Sequence, residues 1–512
     1  MIVLAILLVI LALFYYYNKN SYKYWESKGI KHDKPVPIFG NNFRNFASKK
    51  SVTELAAETY WKYPNEKAAG FYRAGRPELV VRDPEIIKRI LTTDFLNYYP
   101  RGLNIHKDNI EPIMRNLFFA DGDLWRLLRQ RMTPAFTSGK LKAMFPLIVE
   151  RAEKLQACAL SAAAAGNTID ARELMARYTT DFIGACGFGL DADSLNQDDS
   201  EFRKLGAKIF KPTIRDILVA ILNLVVPSVG KHFKIFQRIE SDILTLTKEI
   251  LHQRNYEPAG RNDFVDLLLE CKKKGLIVGE SIERKKPDGS PETATLELDD
   301  ALMAAQIFVF FAAGFETSSS ATSFTLHMLA YNPEVQKKVQ EDIDRVLSKY
   351  DNKLSYDAVK EMTYLDWTFK EGMRIFPSLG FLMRECVRTT PIPELNISVD
   401  AGVRVFIPIQ ALQNDPQYFE EPEKFRPERF SPEELNDANK YIYLPFGIGP
   451  RACIGERLGL MQSLAGLAAI LSRFTVEPAP ETKRYPAVNP RSGIVQSVKD
   501  GLPLHFKERK GI

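Results

Sequence analysis

The chain has 512 residues, of which 45% are hydrophobic and 26% are charged. This ordinary globular composition excludes a disordered, collagen-like or low-complexity protein, and a mean hydropathy of −0.20 excludes a protein that crosses a membrane many times. The net charge of +5 is spread over 69 basic and 64 acidic residues, so the charge gives no indication of nucleic-acid binding.

An uncharged apolar segment opens the chain. Residues Ile2–Phe14 are all apolar, and three tyrosines and several lysines follow them. An apolar helix with an aromatic belt and a basic cytosolic flank is typical of a membrane anchor. We therefore predict a retained anchor over residues 1–18; a cleaved signal peptide and a buried core helix are the alternatives. A basic, proline-rich linker over 19–40, with a hinge at Lys34–Gly40, then leads to one large domain over 41–512.

Helical spacing of apolar residues dominates the first half of this domain. Helices are predicted over residues 53–63, 84–92, 140–164, 179–187 and 201–211, with a short strand at 78–81. The segment 214–226 is mostly apolar but too short to span a membrane. It fits either a core helix or a second surface that dips into the bilayer beside the anchor.

The second half combines helices with short β-like runs. Residues 283–291 are predicted to form a polar, turn-rich loop before an apolar helix from Asp299 to about Ala330. Because that helix is apolar on nearly every face, we expect it to be buried through the domain. An acidic helix over 333–349, β-like runs over 391–408, a helix over 453–472 and further β-prone segments follow. The predicted fold class is mainly α with a small β part.

The five cysteines are few, odd in number and widely spaced: Cys158, Cys186, Cys271, Cys386 and Cys453. Such a set argues against a disulfide framework, and the absence of a C-x-x-C pair argues against a structural zinc site. A reducing compartment is the better expectation.

One cysteine lies in a specific pattern, Phe446-Gly-Ile-Gly-Pro-Arg-Ala-Cys-Ile-Gly455, which fits F-x-x-G-x-R-x-C-x-G. Each fixed position has a physical role if Cys453 is the thiolate ligand of a haem iron. Gly449 permits a turn with positive φ, and Gly455 lets the following helix approach a flat macrocycle. The helix N-terminus stabilises a thiolate, Phe446 shields the sulfur, and Arg451 can reach a propionate. The alternative is a structural cysteine in a glycine-rich loop.

The sequence resembles the cytochrome P450 family over essentially its whole length. Glu371-Gly-Met-Arg374 matches the family's E-x-x-R, and Phe425-Arg-Pro-Glu-Arg-Phe430 lies between it and the cysteine pattern. The resemblance implies the P450 fold, with residues 41–512 as the catalytic domain, and haem b bound through the Cys453 thiolate. It also implies that Glu371, Arg374 and Arg429 form a buried structural triad, whose loss costs folding and haem retention.

Arginines are expected to hold the haem propionates. Asp123-Leu-Trp-Arg-Leu-Leu-Arg129 matches the family's W-x-x-x-R, and Trp125 and Arg129 share a helix face at i, i+4. The resemblance assigns both residues to a propionate, and by position it adds Arg384 and Arg101. A buried dianionic edge needs several fixed guanidinium groups. An amphipathic pair without a ligand is the alternative for Trp125 and Arg129.

The segment Ala313-Gly-Phe-Glu-Thr-Ser318 matches the family's [AG]-G-x-[DE]-T-[ST]. Thr317 and Glu316 are the predicted catalytic residues: by resemblance, the threonine donates to dioxygen, and the acid relays protons through water. Gly314 is expected to open a local groove in the helix. The alternative is a threonine bonded back to its i−4 carbonyl and a glutamate at a helix–helix interface. The pair favours monooxygenation over reductase-independent isomerisation.

The expected partners follow from the anchor and the resemblance. Microsomal members of the family take electrons from NADPH through NADPH–cytochrome P450 reductase, with cytochrome b5 as a second candidate donor. The predicted location is the endoplasmic reticulum membrane, with the catalytic domain on the cytosolic face and no nucleic-acid partner. A cationic surface for an acidic donor is predicted from five residues: Arg126, Arg131, Lys140, Lys142 and Arg457.

The substrate pocket is expected to be apolar and aromatic, which suits lipophilic small molecules. Its predicted lining residues are Ile105, Ile113, Leu117, Phe118, Phe119, Phe308, Phe311, Phe315, Leu379, Phe381 and Ile494. Several stretches, such as Met383-Arg-Glu-Cys386, resemble the insect detoxification branch of the family. Oxidation of plant toxins or insecticides is therefore predicted. Metabolism of steroid or terpenoid hormones is the main alternative, and a reductase-independent isomerase and a non-catalytic haem carrier are two others.

Overall fold

The computed structural model describes residues 21–104, 106–107, 109–190, 193–195, 201–210, 213–261, 263–434 and 440–509. The predicted anchor over residues 1–18 and the predicted pocket residue Ile105 lie outside the described residues. Within these ranges, helices predominate and the strands form small sheets, as the mainly α prediction requires.

The described helices include long core helices and short surface helices. They are α1 Tyr24–Ser27, α2 Phe43–Phe46, α3 Val52–Lys62, α4 Pro84–Lys88, α5 Gly122–Met132, α6 Ser138–Ala164, α7 Ala171–Ile183, α8 Glu201–Phe210, α9 Ile214–Val225, α10 Pro227–Gly230, α11 Gln237–Gln253, α12 Phe264–Lys273, α13 Asp300–Ala330, α14 Pro333–Leu347, α15 Tyr356–Glu361, α16 Thr363–Ile375, α17 Ile409–Leu412 and α18 Glu456–Arg473. The predicted helices over 53–63, 140–164 and 333–349 are confirmed to within about two residues.

The strands form one mixed sheet and smaller antiparallel ones. They are β1 Ala68–Arg73, β2 Arg76–Val81, β3 Ile169–Asp170, β4 Ile277–Lys285, β5 Pro291–Leu296, β6 Leu382–Glu385, β7 Thr390–Ile392, β8 Ile397–Val399, β9 Arg404–Ile407, β10 Phe474–Pro478 and β11 Pro503–Glu508. The mixed sheet has the order β1-β2-β9-β6, and only its β2–β9 pair is parallel. The other sheets are β10-β11-β3, β4-β5 and β7-β8.

Helix α13 runs through the centre of the domain. Asp299 caps its N-terminus by accepting a hydrogen bond from the Leu302 amide at 2.6 Å, which satisfies one of the free amides of the first turn. It packs against α7, α16 and α18. Among the described residues it is the one helix long and apolar enough to cross a membrane, and 67% of its most apolar window is buried in the protein. This burial is typical of a core helix and confirms the sequence interpretation.

The described part of the predicted linker packs on the domain, and the hinge at Lys34–Gly40 remains a prediction. Trp25 is fully buried, and its indole Nε1 donates to the Phe71 carbonyl at 3.1 Å. The Gly70 amide donates to the carbonyl of Lys31 at 2.8 Å, which joins the linker to β1. A buried tryptophan and paired backbone groups hold residues 21–40 against the mixed sheet.

The structure corrects two predictions and excludes one of two alternatives. Residues 283–291 are the end and turn of the β4–β5 hairpin. The segment 214–226 is not a core helix: Val219 and Asn223 are buried, but Ile214 and Leu218 are 79% and 60% exposed. The helix predicted over 179–187 is the end of α7 followed by a π-turn, because local apolar periodicity does not mark a change of helix type.

Candidate active site

A cavity of about 270 Å³ lies between α13, α5 and the loop that precedes α18. The centre of α13 contributes Ala313, Gly314 and Thr317 to its wall, and the cysteine loop contributes Phe446 and Cys453. The two sharpest sequence motifs, more than a hundred residues apart in the chain, therefore line the same cavity. Apolar side chains form most of the remaining surface.

The cysteine loop is shaped by a glycine turn. Gly449 has φ +78°, and a Cβ on it would meet the carbonyl oxygen of Leu91 at 2.1 Å, so this position requires glycine. The Cys453 amide donates to the Phe446 carbonyl at 2.8 Å, which closes the loop. Helix α18 begins at Glu456, three residues later than predicted. The predicted positive φ at Gly449 is confirmed.

Cys453 has an exposed side chain, and it lines the cavity. Burial raises its pKa, while the Gly455 amide and the cations Arg129 and Arg101 lower it. A metal that binds Cys453 would displace the proton of the thiol, since metals bind the thiolate form of cysteine. In the described part of the chain, no three His, Cys, Asp or Glu side chains converge to hold a metal. A porphyrin bound at Cys453 would bring the other ligands of its metal with it.

Four arginines line one end of the cavity: Arg101, Arg129, Arg384 and Arg451. Within the described residues, the one carboxylate that pairs with any of them is that of Asp121, which pairs with Arg451. Burial lowers the pKa of Arg101 to about 10 and of Arg384 to about 9, and it also lowers the pKa of Arg129 and Arg451. Guanidinium groups still stay charged at neutral pH, so this end of the cavity carries uncompensated positive charge. That excess fits the two carboxylates of a haem.

Arg384 on β6 is the clearest unfilled donor. Its side chain is only 2% exposed, and its Nε has no hydrogen-bond partner. One terminal nitrogen donates to the carbonyl of Met383 at 2.8 Å. A buried donor without an acceptor is rare and costly, so an anion at this position would satisfy it.

Arg451 is mostly held by the protein itself. Its donors reach the carbonyls of Tyr99 at 3.0 Å and Ala120 at 2.8 Å and the carboxylate of Asp121 at 2.8 Å. Its guanidinium lies 4.1 Å from the ring centre of Trp125. Sequence reasoning missed Asp121; its place just before the W-x-x-x-R helix, where acids often cap, was the available signal.

The other two arginines are placed by backbone carbonyls. Arg101 donates to the carbonyls of Phe118 at 2.8 Å and Arg451 at 3.2 Å, and Arg129 donates to the carbonyl of Ala452 at 2.9 Å. Trp125 is buried on the same face of α5 as Arg129. All the predicted propionate contacts therefore lie at one cavity, and their role toward a propionate remains a prediction.

The acid and the hydroxyl of the α13 motif point in different directions. Thr317 opens onto the cavity, and its hydroxyl donates to the Ala313 carbonyl at 2.7 Å. Glu316 does not line the cavity; it pairs with Arg172 at the start of α7. The geometry thus matches the alternative weighed from sequence, a back-bonded threonine and a glutamate at a helix–helix interface. The catalytic roles of both residues remain predictions.

Gly314 serves close helix packing. A Cβ at this position would lie 2.7 Å from the side chain of Ile183 on α7. Helix α13 is continuous from Asp300 to Ala330, and the local groove at Gly314 remains a prediction. The glycine is needed instead because α7 and α13 approach closely there.

The E-x-x-R residues lie away from the cavity and are satisfied within the protein. Arg374 donates to both carboxylate oxygens of Glu371 at 2.7 and 2.9 Å, and Arg429 donates to one of them at 3.3 Å. Arg374 also donates to the carbonyls of Gln413 and Pro422. The predicted triad geometry is confirmed, and its contacts make it a structural element.

About half of the predicted pocket residues line the cavity. Those that do are Leu117, Phe118, Leu379, Phe381 and Ile494, and those that do not are Ile113, Phe119, Phe308, Phe311 and Phe315. On α13 the cavity face instead carries Val309 and Phe310, four residues before Ala313 and Gly314. The three mispredicted α13 phenylalanines contact rings of other elements, as Phe308 does with Phe236 at 5.6 Å. Helical spacing from the motif would have separated the two faces.

Comparison with known proteins gives one consistent result. The family model described as Cytochrome P450 matches residues 31–502. Among curated proteins, the chain is similar to Cytochrome P450 6B7 of Helicoverpa armigera, at 35% identity over 99% of this chain and 98% of that protein. It is also similar to Probable cytochrome P450 6a13 of Drosophila melanogaster, at 35% identity over 99% of each chain. Cytochrome P450 6B1 of Papilio polyxenes is 34% identical over 93% of each.

Proposed function

The chain belongs to the cytochrome P450 family and is a monooxygenase, and from that premise we propose that it oxidises lipophilic xenobiotics such as plant toxins and insecticides. We propose that NADPH supplies the electrons through NADPH–cytochrome P450 reductase, with cytochrome b5 as a second donor. The proposed location is the endoplasmic reticulum membrane. The observation that carries the proposal is the cavity that joins a thiol, a hydroxyl and a buried excess of arginine within mostly apolar walls.

The residues present fit a haem in this cavity. Cys453 would supply the thiolate that binds the haem iron, and Arg384, Arg101 and Arg129, with Trp125, would hold the propionates. Bound haem with a thiolate ligand supplies the activation of O2 and the transfer of one oxygen atom to a substrate. Arg451 would act mainly by fixing Asp121 and Trp125, since its Nε and both terminal nitrogens already donate to protein oxygens.

Thr317 is proposed to hold a proton at the cavity wall. Its hydroxyl donates to the Ala313 carbonyl, and a rotation about χ1 would turn the same donor toward the cavity. For Glu316 to take part in proton relay, its carboxylate must leave Arg172 or transfer protons along that pair. Thr317 is therefore the direct contact, and Glu316 acts through it.

The cavity walls support a lipophilic substrate. Phe136 and Phe310 stack with ring centres 5.4 Å apart beside Val309 and Leu458, and all four line the cavity. Away from the arginine end, Thr317 and Ser378 are among its few hydroxyls, and the Ser378 hydroxyl donates to the Thr317 carbonyl at 2.8 Å. A pocket with few fixed polar contacts selects by size and apolar area, which suits a range of substrates.

An exposed apolar surface supports membrane contact beyond the anchor. Ile214 and Leu218 on α9 are 79% and 60% exposed, and Val229 and Phe233 nearby in the chain are 46% and 47% exposed. Contiguous exposed apolar side chains are costly in water and favour a lipid surface. We propose that this surface lies on the bilayer.

The proposed donor surface is smaller than its sequence suggested. Arg126 pairs with Glu280 at 3.1 Å and Lys142 pairs with Asp357 at 2.9 Å, so two of the five predicted cations are already neutralised. Arg457 donates to the Ser138 hydroxyl at 3.0 Å and keeps its charge for a partner. An acidic redox partner would still find a basic surface there, though a weaker one.

The test is expression in membranes with a reductase, followed by a mass-spectrometric screen of plant toxins, insecticides and hormones. We expect an NADPH-dependent product that gains one oxygen atom, or loses an alkyl group, from a toxin or insecticide. Cys453→Ala is the matched blank and should lose both the product and the thiolate-type CO spectrum. Products from hormones alone would favour the endogenous role, and a product formed without NADPH would favour an isomerase.

A second variant tests the proton role of Thr317. Thr317→Ala should keep the CO spectrum of the wild type but release several-fold more hydrogen peroxide per NADPH oxidised. Thr317→Ser, which keeps the hydroxyl, is the matched control. Unchanged coupling in the alanine variant would remove the proposed role.

A further inference from the structure

The β4–β5 hairpin, over residues 277–296, lies where sequence predicted part of a loop, and its pairing is interrupted. Regular antiparallel pairs run from Ile277 to Glu280 and resume at Lys285, with a register shift between them. The shift frees Ser281–Arg284 from ladder pairing. Bulges of this kind re-aim side chains and backbone groups, commonly beside functional sites.

The freed residues bind the first turn of α5, the helix that carries Trp125 and Arg129. Ser281 donates its hydroxyl to the carboxylate of Asp123 at 2.8 and 2.9 Å, and the Ile282 amide donates to the same group at 2.7 Å. In return, the Asp123 amide donates to the carboxylate of Glu283 at 3.1 Å. The bulge and the helix start are thus joined reciprocally.

Glu283 is built closely into this junction. Gly122, the first residue of α5, has φ +58°, and a Cβ on it would lie 2.3 Å from the Glu283 carboxyl group. The hydroxyl of Tyr99 donates to Glu283 at 3.3 Å, while the carbonyl of Tyr99 accepts from Arg451 at 3.0 Å. A carboxylate at a helix N-terminus is favoured by the free amides and the dipole there.

The rest of the hairpin covers the outer face of α5. Leu127 forms a small apolar cluster with Ile277 and Ala294. Gly279 leaves room for this contact, since a Cβ on it would lie 2.8 Å from Leu127. The helix is therefore held between the hairpin on one side and the cavity on the other.

We propose that the hairpin is the positioning element of the haem-binding helix, and that Glu283 and Ser281 are its positioning residues. Neither residue lines the cavity, so they act through α5 and Tyr99 by fixing where Trp125, Arg129 and Arg451 stand. The proposal rests on the proposed haem site. If the junction is weakened, the first turn of α5 can move, and the contacts of Trp125, Arg129 and Arg451 with the propionates become weaker.

Glu283→Ala is the test variant, and Glu297→Ala is its matched control. Glu297 is an exposed acid one residue beyond β5, and within the described residues it has no hydrogen bond or ion pair. Glu283→Gln is the rescue variant, because its amide oxygen still accepts from Asp123. Three measurements apply: amide hydrogen exchange of residues 122–132 in the haem-free chain, the rate of haem transfer to apomyoglobin, and the resonance Raman propionate-bending band.

We expect Glu283→Ala to raise exchange in α5 and to speed haem transfer about 10-fold, the lower end of the usual effect of removing an outer-shell contact. The Raman band should shift or broaden, which a general loss of stability would not produce. In all three measurements, Glu283→Gln should give values near those of the wild type, and Glu297→Ala should give the wild-type values. The proposal would be overturned if Glu283→Ala showed the same amide exchange in α5 and the same propionate-bending band as the wild type. A wild type that takes up haem without a thiolate-type CO spectrum would instead overturn the proposed haem site.

Discussion

Two buried groups of arginines in this protein have opposite surroundings. At the triad, Arg374 and Arg429 share the carboxylate of Glu371, and carbonyl oxygens accept the remaining donors of Arg374. At the cavity, four arginines face one carboxylate, and the Nε of Arg384 has no acceptor. Arg384 and Arg451 are as buried as the triad arginines, while Arg101 and Arg129 are half-buried. The triad finds its partners within the chain, and the cavity group does not.

The difference in hydrogen-bond and ion-pair partners separates arginines that stabilise the fold from arginines that are available to bind a ligand. A buried cation is tolerated only with compensation, so a group whose partners all belong to the chain contributes to folding. A group that lacks partners is held at a cost that a ligand must offset. Burial lowers the pKa of Arg101 and Arg384, but it also lowers the pKa of Arg429 in the triad, so the pKa values do not separate the two groups. The unpaired Nε of Arg384 does separate them.

The largest expected effect comes from breaking the complete group. Glu371→Ala leaves Arg374 and Arg429 buried without their shared anion, which should cost about 3–5 kcal/mol in the free energy of unfolding. That is a large share of the stability of a typical domain, so we expect little folded protein with or without haem. Yield and thermal unfolding are the measurements, with the exposed Glu423→Ala as control. Normal folding of the variant would contradict the structural role.

Removing the single carboxylate at the cavity should have a smaller, haem-dependent effect. Asp121→Asn leaves Arg451 and the other cavity arginines without an anion, and we expect about 2 kcal/mol of destabilisation in the haem-free chain. The loss should shrink when haem is bound, because the propionates take over the compensation. Thermal midpoints with and without haem measure this. Equal losses in both forms would show that Asp121 is structural alone.

Arg384→Ala should have different effects on the haem-free and the haem-bound protein. Without haem, removal of an unpaired buried charge should leave the thermal midpoint unchanged or raise it. With haem, loss of a charge-assisted hydrogen bond, about 1.5–3 kcal/mol, should speed haem transfer to apomyoglobin roughly 10- to 100-fold. Destabilisation of the haem-free chain, as in the triad, would remove the distinction between the groups.

The smallest expected effect comes from changing the Glu316–Arg172 pair, which shares features with both groups of arginines. Glu316 and Arg172 are bonded to each other like the triad, but Glu316 adjoins the cavity residue Thr317. Glu316→Gln should lower stability by about 1 kcal/mol and reduce coupling of NADPH to product. Arg172→Gln breaks the same pair from the other side and should share the first effect. If Glu316→Gln kept the wild-type coupling of NADPH oxidation to product formation, Glu316 would have a structural role only.

Patterns that depend on local spacing were predictable. The F-x-x-G-x-R-x-C-x-G loop, the E-x-x-R pair and the long apolar helix each carry their constraint within a few turns of chain. The structure bears out the φ at Gly449, the Glu371–Arg374 contact and the burial of α13. Steric limits at glycine and i, i+3 geometry act over short distances, so sequence alone reveals them.

Contacts between distant segments were not predictable in the same way. Nothing near Glu316 in sequence indicates Arg172, and nothing in the turn-rich segment 283–291 indicates a bulge that binds α5. The error at Phe308, Phe311 and Phe315 had a different origin, since their spacing from the motif already placed them on another face of α13.

The sequence by itself determined the family, the mainly α class, the loop that carries Cys453 and the set of arginines and acids available. Only the tertiary structure decided which of those charges compensate one another and which remain for a ligand. The reason is that charge type and helical spacing are local properties, whereas compensation depends on distances of a few ångströms between segments hundreds of residues apart.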